Sequence, residues 1–307
     1  MSSRLTIAAV ATALSLGTIV SACLSDFAFV DDGVGGDATS AGGGGANGGG
    51  GQGGTASGTS DGGGGAEPML ISRGLVVRYH LDEAASGKDP ALAIDAAGSL
   101  DLVHDWSGDV HYVEVDGHRG LRWESVGPNG GPNAPANGTP VEAALTGATE
   151  ATIEIVADIE EASAGPPRSH VFGISPPMPS AGALDISARN NAKLRLGFNS
   201  NVAAVWDRDP GRIVTHVVVD TTASSAAARR AVYVDGSPVA LDDPEAPLLD
   251  ETIPALMGFG VDIGSRPGNA PSMKGNVFYA AIYAVALTER EVANNAGLLL
   301  ADDDAPR

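Results

Sequence analysis

IVTHVVVDTTASSAAARRAVYVDGSPV, residues 213–239, decides how this chain folds. Two β-branched runs, Ile213 to Asp220 and Ala231 to Asp235, flank a polar Ala/Ser connector. The second run stops at Asp235-Gly236, a dipeptide suited to a tight hairpin because its residues tolerate positive φ. That combination is the signature of an antiparallel sheet. Outward from it, the sequence repeats the theme. GLVVRYHLDEAASG (74–87) alternates apolar and polar residues through Leu75, Val77, Tyr79 and Leu81. DLVHDWSGDVHYVEVDGHRGLRWE (101–124) reads as three strands around turns at Ser107-Gly108-Asp109 and Asp116-Gly117, and ATIEIVADIEE (151–161) alternates again. Further strands are expected at 169–174, 183–188, 193–198, 202–206, 256–264 and 275–286, with a loop over 125–140. Short strands punctuated by Gly, Pro and Asn predict a β-sandwich. One helix stands out: Thr288-Glu289-Arg290-Glu291 is a capping box, and the helix should run to about Leu300.

The chain has 307 residues and 42 glycines, most of them before residue 66. Without that part, roughly 235 residues remain, an ordinary size for one all-β domain. Asp and Glu number 38 against 18 Lys and Arg, a formal charge of −20 that repels phosphate backbones and argues against a nucleic-acid partner. The acidic surface reads as solvated, with cation binding as the alternative. The single cysteine, Cys23, excludes a disulfide framework or a thiolate metal cluster in the folded part.

Residues 1–22 read as a signal peptide. Arg4 and the amino terminus are positive, and Leu5 to Val20 is an uncharged apolar run, too short at about 1.5 Å per residue for a bilayer core of about 30 Å. Val20-Ser21-Ala22-Cys23 resembles the lipobox of bacterial lipoproteins, which implies acylation at Cys23. Leu24 after the cysteine favours the outer membrane or cell surface over inner-membrane retention. Residues 23–67 form the acylated cysteine and a disordered Gly-rich tether, with a reach of about 35–40 Å. Residues 68–300 are assigned to the sandwich and 301–307 to a disordered acidic tail.

Three blocks carry a family resemblance. GLVVRYHLDEAASG with DLVHDWSGD, then THVVVDTTASSAAARRAVYVDGSPV, then GVDIGSRPGNAPSMKGNVFYAAIYAVALTEREV together resemble the laminin-G-like, concanavalin A-like lectin/glucanase superfamily. The resemblance runs from residue 74 to about 295. It implies an all-β, concanavalin A-like jelly roll of two antiparallel sheets with one short C-terminal helix. Two departures mark a divergent member: Val214-Thr215 stand where the family often has Trp before His216, and Phe278-Tyr279 where it often has Asp-Glu.

Glucanases of the superfamily carry Glu-x-Asp-x-x-Glu on one strand, so that alternate carboxyls face the cleft. Here only Glu114-Val115-Asp116-Gly117-His118-Arg119 approaches it, with Arg in the acid's place and a turn at Asp116-Gly117. Glu154, Asp158 and Glu160 share a strand face, read as solvated. His216 reads as a structural histidine inside an apolar strand. Calcium is the cation that related loops hold, and Asp105, Asp109, Asn199, Asn201, Asp207, Asp209 and Asp262 are the oxygen donors in such places. For sugar binding, Trp206 followed by Asp207-Arg208-Asp209 offers an aromatic face beside polar groups, so Trp206, Asp207 and Asp209 are the ligand-binding candidates. Trp106 and Trp123 read as structural.

These readings lead to a lipid-anchored envelope protein that displays a non-catalytic domain binding a glycan or a surface protein. The alternatives are a glycoside hydrolase or lyase of the same superfamily, and a structural surface protein.

Overall fold

Ile213–Asp220 forms a strand, as its β-branched run predicts, and lies near the middle of a sheet of eight. Across that first sheet the order is β14 (Ser237–Pro238), β13 (Arg230–Val234), β12 (Ile213–Asp220), β7 (Glu150–Glu161), β16 (Lys274–Tyr283), β5 (His118–Trp123) and β4 (Val110–Val115), with β1 (Leu75–Tyr79) also paired to β16. The second sheet runs β11 (Asn201–Asp207), β10 (Lys193–Phe198), β9 (Leu184–Arg189), β8 (Ser169–Ser175), β15 (Gly260–Ile263), β6 (Pro132–Pro135), β3 (Leu102–His104) and β2 (Leu92–Ala93). Every pairing within the two sheets is antiparallel. This is the expected β-sandwich. The computed structural model describes residues 69–86, 91–165, 168–176, 182–189, 192–199, 201–242, 251–266 and 271–305.

Turn chemistry behaves as read. Asp235 and Gly236 both take positive φ, 50° and 78°, and join β13 to β14; Asp116 and Gly117, at 52° and 88°, join β4 to β5. Positive φ at both central residues gives the hairpin twist that matches the flanking strands.

Between the sheets lies the main core. Ile153, Ile155, Val217, Val219, Val277 and Ile282 from the first sheet meet Phe172, Ile174, Leu184, Ile186, Leu194 and Leu196 from the second. A second apolar layer covers the other face of the first sheet. There Val156, Val214, Val218, Phe278 and Ala281 pack against Val292, Ala296 and Leu299 of α3 (Glu289–Ala301). That cover explains why β12 and β16 read as continuous apolar runs rather than strict alternation. The α3 capping box is present, with Thr288 accepting from the Glu291 amide and Glu291 accepting from the Thr288 amide.

Three expectations change. The segment 125–140 is not all loop, since it contains β6 and leads into α2 (Pro140–Leu145), which starts with Pro140 where a missing N–H costs nothing. A short α1 (Glu83–Ser86) brings the helices among the described residues to three. The acidic stretch after α3, expected to be disordered, is anchored through residue 305: Asp303 is fully buried and accepts from Arg212, while Asp304 accepts from Arg119. Cations on β5 and just before β12 hold these carboxylates, which composition alone reads as repelling one another.

Candidate active site

The face of the second sheet turned away from the main core carries a buried row of unlike residues. Asp262 on β15 is the register partner of Gly173 on β8, Gly173 of Asp185 on β9, and Asp185 of Gly197 on β10. The neighbours of each aspartate, Val261 and Ile263 or Leu184 and Ile186, point into the core, so strand alternation sends both carboxyls to the opposite face. Glycine is required around Asp185. A Cβ on Gly173 would meet the Asp185 backbone, and one on Gly182 or Gly197 would strike its carboxyl.

His170 sits between the two carboxyls. Its Nδ1 is 3.8 Å from Asp185 Oδ2, and its Nε2 lies against Asp262 Oδ1. Arg266 Nε, 3.5 Å from Nδ1, points a donor at that nitrogen. The acceptor at Nδ1 places the ring proton on Nε2, facing Asp262. Arg266 Nη2 donates to Asp185 Oδ2 at 3.1 Å, the Gly182 amide to Asp185 Oδ1 at 3.1 Å, and Ser175 Oγ to Asp262 Oδ2 at 2.7 Å. Arg195 of β10, on the same face, is buried, and its Nε and Nη1 have no hydrogen-bond partner among the described residues. A desolvated guanidinium with unused donors favours oxygen-rich or anionic groups.

Two carboxyls, one on each side of an imidazole, can perform general acid and base chemistry. Sequence reading missed this pair because the residues come from β9 and β15, separated by β8. Only Asp262 was singled out, as a calcium donor. The remaining signal was the glycines at 173, 182 and 197, which had no meaning until the register placed them around one carboxylate.

A second buried carboxylate serves a different purpose. Glu154 of β7, expected on a solvated face, is fully buried beneath α3. It accepts from His216 Nε2 at 2.7 Å, Tyr279 at 2.7 Å, Tyr283 at 3.0 Å and Asn295 of α3 at 2.7 Å. Arg78 donates to both tyrosines, at 2.9 and 3.1 Å. Burial alone would raise the Glu154 carboxyl, yet the hydrogen bonds and charge of His216, with those of Tyr279 and Asn295, hold it below the usual range. Burial, and then the neighbouring Glu154 charge, raise Tyr279 well above an ordinary phenol. This network fastens α3 to the sheet and makes His216 structural, as read.

Trp206, proposed from sequence as a sugar platform, is fully buried in the core, because it takes the inward position on β11. Asp207 points to solvent and pairs with Lys193 at 2.6 Å, and Asp209 is exposed. The three therefore form no joint ligand surface. Cys23 lies outside the described residues. Nor do the calcium donors gather: Asp105 accepts from the Ser107 amide, and Asp262 belongs to the His170 cluster. Among the described residues the group of carboxylates close enough to share a cation is Asp302, Asp303 and Asp304, within 4.8 Å. Arg212 and Arg119 already neutralise Asp303 and Asp304, and His118 Nδ1 lies 2.9 Å from Asp303 Oδ1. Trp123 is buried as expected and donates to Gly130 O at 2.8 Å. Trp106, in contrast, is 41% exposed.

No family model and no curated protein sequence matches the chain. Among solved structures, it is similar to Trypanosoma rangeli sialidase in complex with the inhibitor DANA, with TM-score 0.51, 19% identity, and coverage of 74% of this chain and 33% of that one. A mutant of the same sialidase displaying trans-sialidase activity gives TM-score 0.50, 19% identity, and coverage of 76% and 34%. The binding domain of botulinum neurotoxin DC in complex with SialylT gives TM-score 0.50, 10% identity, and coverage of 74% and 52%. The chain thus spans about a third of the length of the sialidases it matches. At these identities the likeness shows a shared sheet-rich fold.

The expectation of a non-catalytic binding domain, and of a chain that is not an enzyme, is corrected here. The chains that share the fold include sialidases, which are glycosidases. The physical reason lies in the sheet. A search for paired carboxyls along one strand cannot see a pair assembled across β9, β8 and β15.

Proposed function

We propose that this chain acts on glycans as a glycoside hydrolase, with the His170–Asp262 pair as its acid and Asp185 as its base. The observation that carries this reading is the placement of the two carboxyls on one sheet face, either side of His170. The proton on His170 Nε2, held against Asp262, goes to the glycosidic oxygen, the bond from that oxygen to the anomeric carbon breaks, and a water attacks the carbon. Asp185, which accepts from Arg266 and the Gly182 amide, takes the proton of that water. The solved structures named above, with an inhibitor-bound sialidase and a SialylT-bound toxin domain among them, support a glycan ligand. Reducing-end release from a panel of polysaccharides and sialosides by the purified chain tests the proposal. Release from at least one is expected, and none from any would end it.

We also propose that the chain is a bacterial envelope lipoprotein, acylated at Cys23, with 23–67 as a tether to the sandwich. The lipobox-like Val20-Ser21-Ala22-Cys23 and the Gly-rich composition support this.

A further inference from the structure

We propose that a cavity between the α1 turn and the β4–β5 hairpin is a binding subsite for one neutral sugar residue, with Trp106 as its stacking platform. The proposal rests on the glycan-directed reading above and deepens it, naming a ligand class for a place remote in function from the carboxyl pair. The cavity holds about 240 Å³ and is lined by Leu81, Asp82, Ala85, Tyr112, Glu114 and Arg119 among others. That is below the about 300–1,000 Å³ of drug-sized sites, and suits a single ring.

Asp82 supplies an unused acceptor. The residue is 4% exposed, its Oδ2 accepts from the Ala305 amide at 3.2 Å, and its Oδ1 has no hydrogen-bond partner among the described residues. A buried carboxylate oxygen without a donor is costly, and a ligand hydroxyl would satisfy it. The backbone that aims it is strained: Leu81, bulky and fully buried, takes φ of 56°, a conformation that side chains of its size rarely adopt. Strain of this kind concentrates where a site is held in shape.

Tyr112 joins the cavity to an aromatic shelf. Trp106 lies 5.6 Å from the Tyr112 ring and stacks on His104 at 4.3 Å with planes 12° apart. Burial lowers His104 to about 4, so the ring beneath Trp106 is neutral at pH 7. One indole face is taken by His104, and the exposed remainder offers the apolar surface on which a pyranose face stacks. Charge selects against acidic sugars. Asp82 and Glu114 line the cavity against one cation, Arg119, and Arg119 is already held by Glu114 at 3.2 Å and Asp304 at 2.6 Å. A neutral polyol, donating to carboxylates, fits where a carboxylated ring would be repelled.

Trp123 and Trp206 are buried, so acrylamide quenching of tryptophan fluorescence reports on Trp106. The full chain is titrated with cellotetraose, mannotetraose, xylotetraose and, as the acidic probe, 3′-sialyllactose. At least one neutral tetrasaccharide is expected to shield Trp106, and sialyllactose is not. Calorimetric titration of the shielding sugar should then show binding lost in Trp106→Ala and weakened at least about tenfold in Asp82→Asn. If Asp82→Asn does not fold, the exposed Glu114→Gln carries the same test. Reducing ends are counted in the same titrations, so a wild-type chain that binds but does not cleave retains this subsite and loses the catalytic reading. The proposal is overturned if no neutral tetrasaccharide shields Trp106, if sialyllactose shields equally well, or if Trp106→Ala binds undiminished.

Discussion

Asp185 is closely bracketed by Gly173, Gly182 and Gly197, and these surroundings make a sharp prediction. Gly197→Ala places a methyl group against its carboxyl, and Gly173→Ala places one against its backbone. Either change should abolish glycan cleavage, while a control such as Gly211→Ala, where nothing lies within 4 Å, should retain activity at some cost in backbone strain. Comparing reaction rates at matched folded fractions, by circular dichroism, checks this. His104 supplies a pH prediction. Burial, only partly opposed by a bond involving the Leu92 backbone, lowers it from 6.5 to about 4 in the folded chain. The unfolded chain therefore binds more protons in this window, so stability is full above about pH 6.5 and falls by up to about 3 kcal/mol as pH drops toward 4. Urea unfolding at pH 7 and pH 4.5 should show this loss, and His104→Gln should show less of it.

At the scale of elements, α3 is held by a cap, an apolar stripe and one buried network. Thr288→Ala removes the capping hydroxyl and should cost about 1 kcal/mol in urea unfolding. Glu154→Ala leaves His216, Tyr279, Tyr283 and Asn295 without their shared acceptor and should cost about 3–5 kcal/mol. Because the Glu154 carboxyl is held below its usual range, its contribution is present above about pH 4.5 and is lost as pH falls through the folded value. The helix itself was legible from Thr288-Glu289-Arg290-Glu291, since a capping box is a local signal. What lay under it was not. Glu154 alternates with Ile153 and Ile155 like any solvated glutamate, and only the docking of a helix far along the chain turns its face into an interior. The same limit hid the carboxyl pair. The strands bearing Asp185 and Asp262 were found from their apolar alternation, but the order β9-β8-β15 is set by long-range pairing that no local pattern encodes.

The whole molecule combines a sandwich with two apolar layers and a sequence that reads as an acylated, glycine-tethered amino terminus. If Cys23 carries the lipid, Cys23→Ser should move the chain from the membrane to the soluble fraction of cells; unchanged fractionation would remove the anchor from the account. The strand pattern made the sandwich readable in advance, whereas the ligand surface was misplaced. Trp206 ends a strand beside charged residues, yet its position in the alternation buries it, and the exposed indole belongs to Trp106. The central claim is that two aspartates on one sheet face, on β9 and β15 either side of β8, cleave a glycosidic bond. It is tested most directly by turnover of the best substrate by wild type, Asp185→Asn and Asp262→Asn under identical conditions. Loss of at least about 100-fold in both variants, with melting temperatures kept within a few degrees, is the result predicted. Turnover at the wild-type rate in either variant would contradict it.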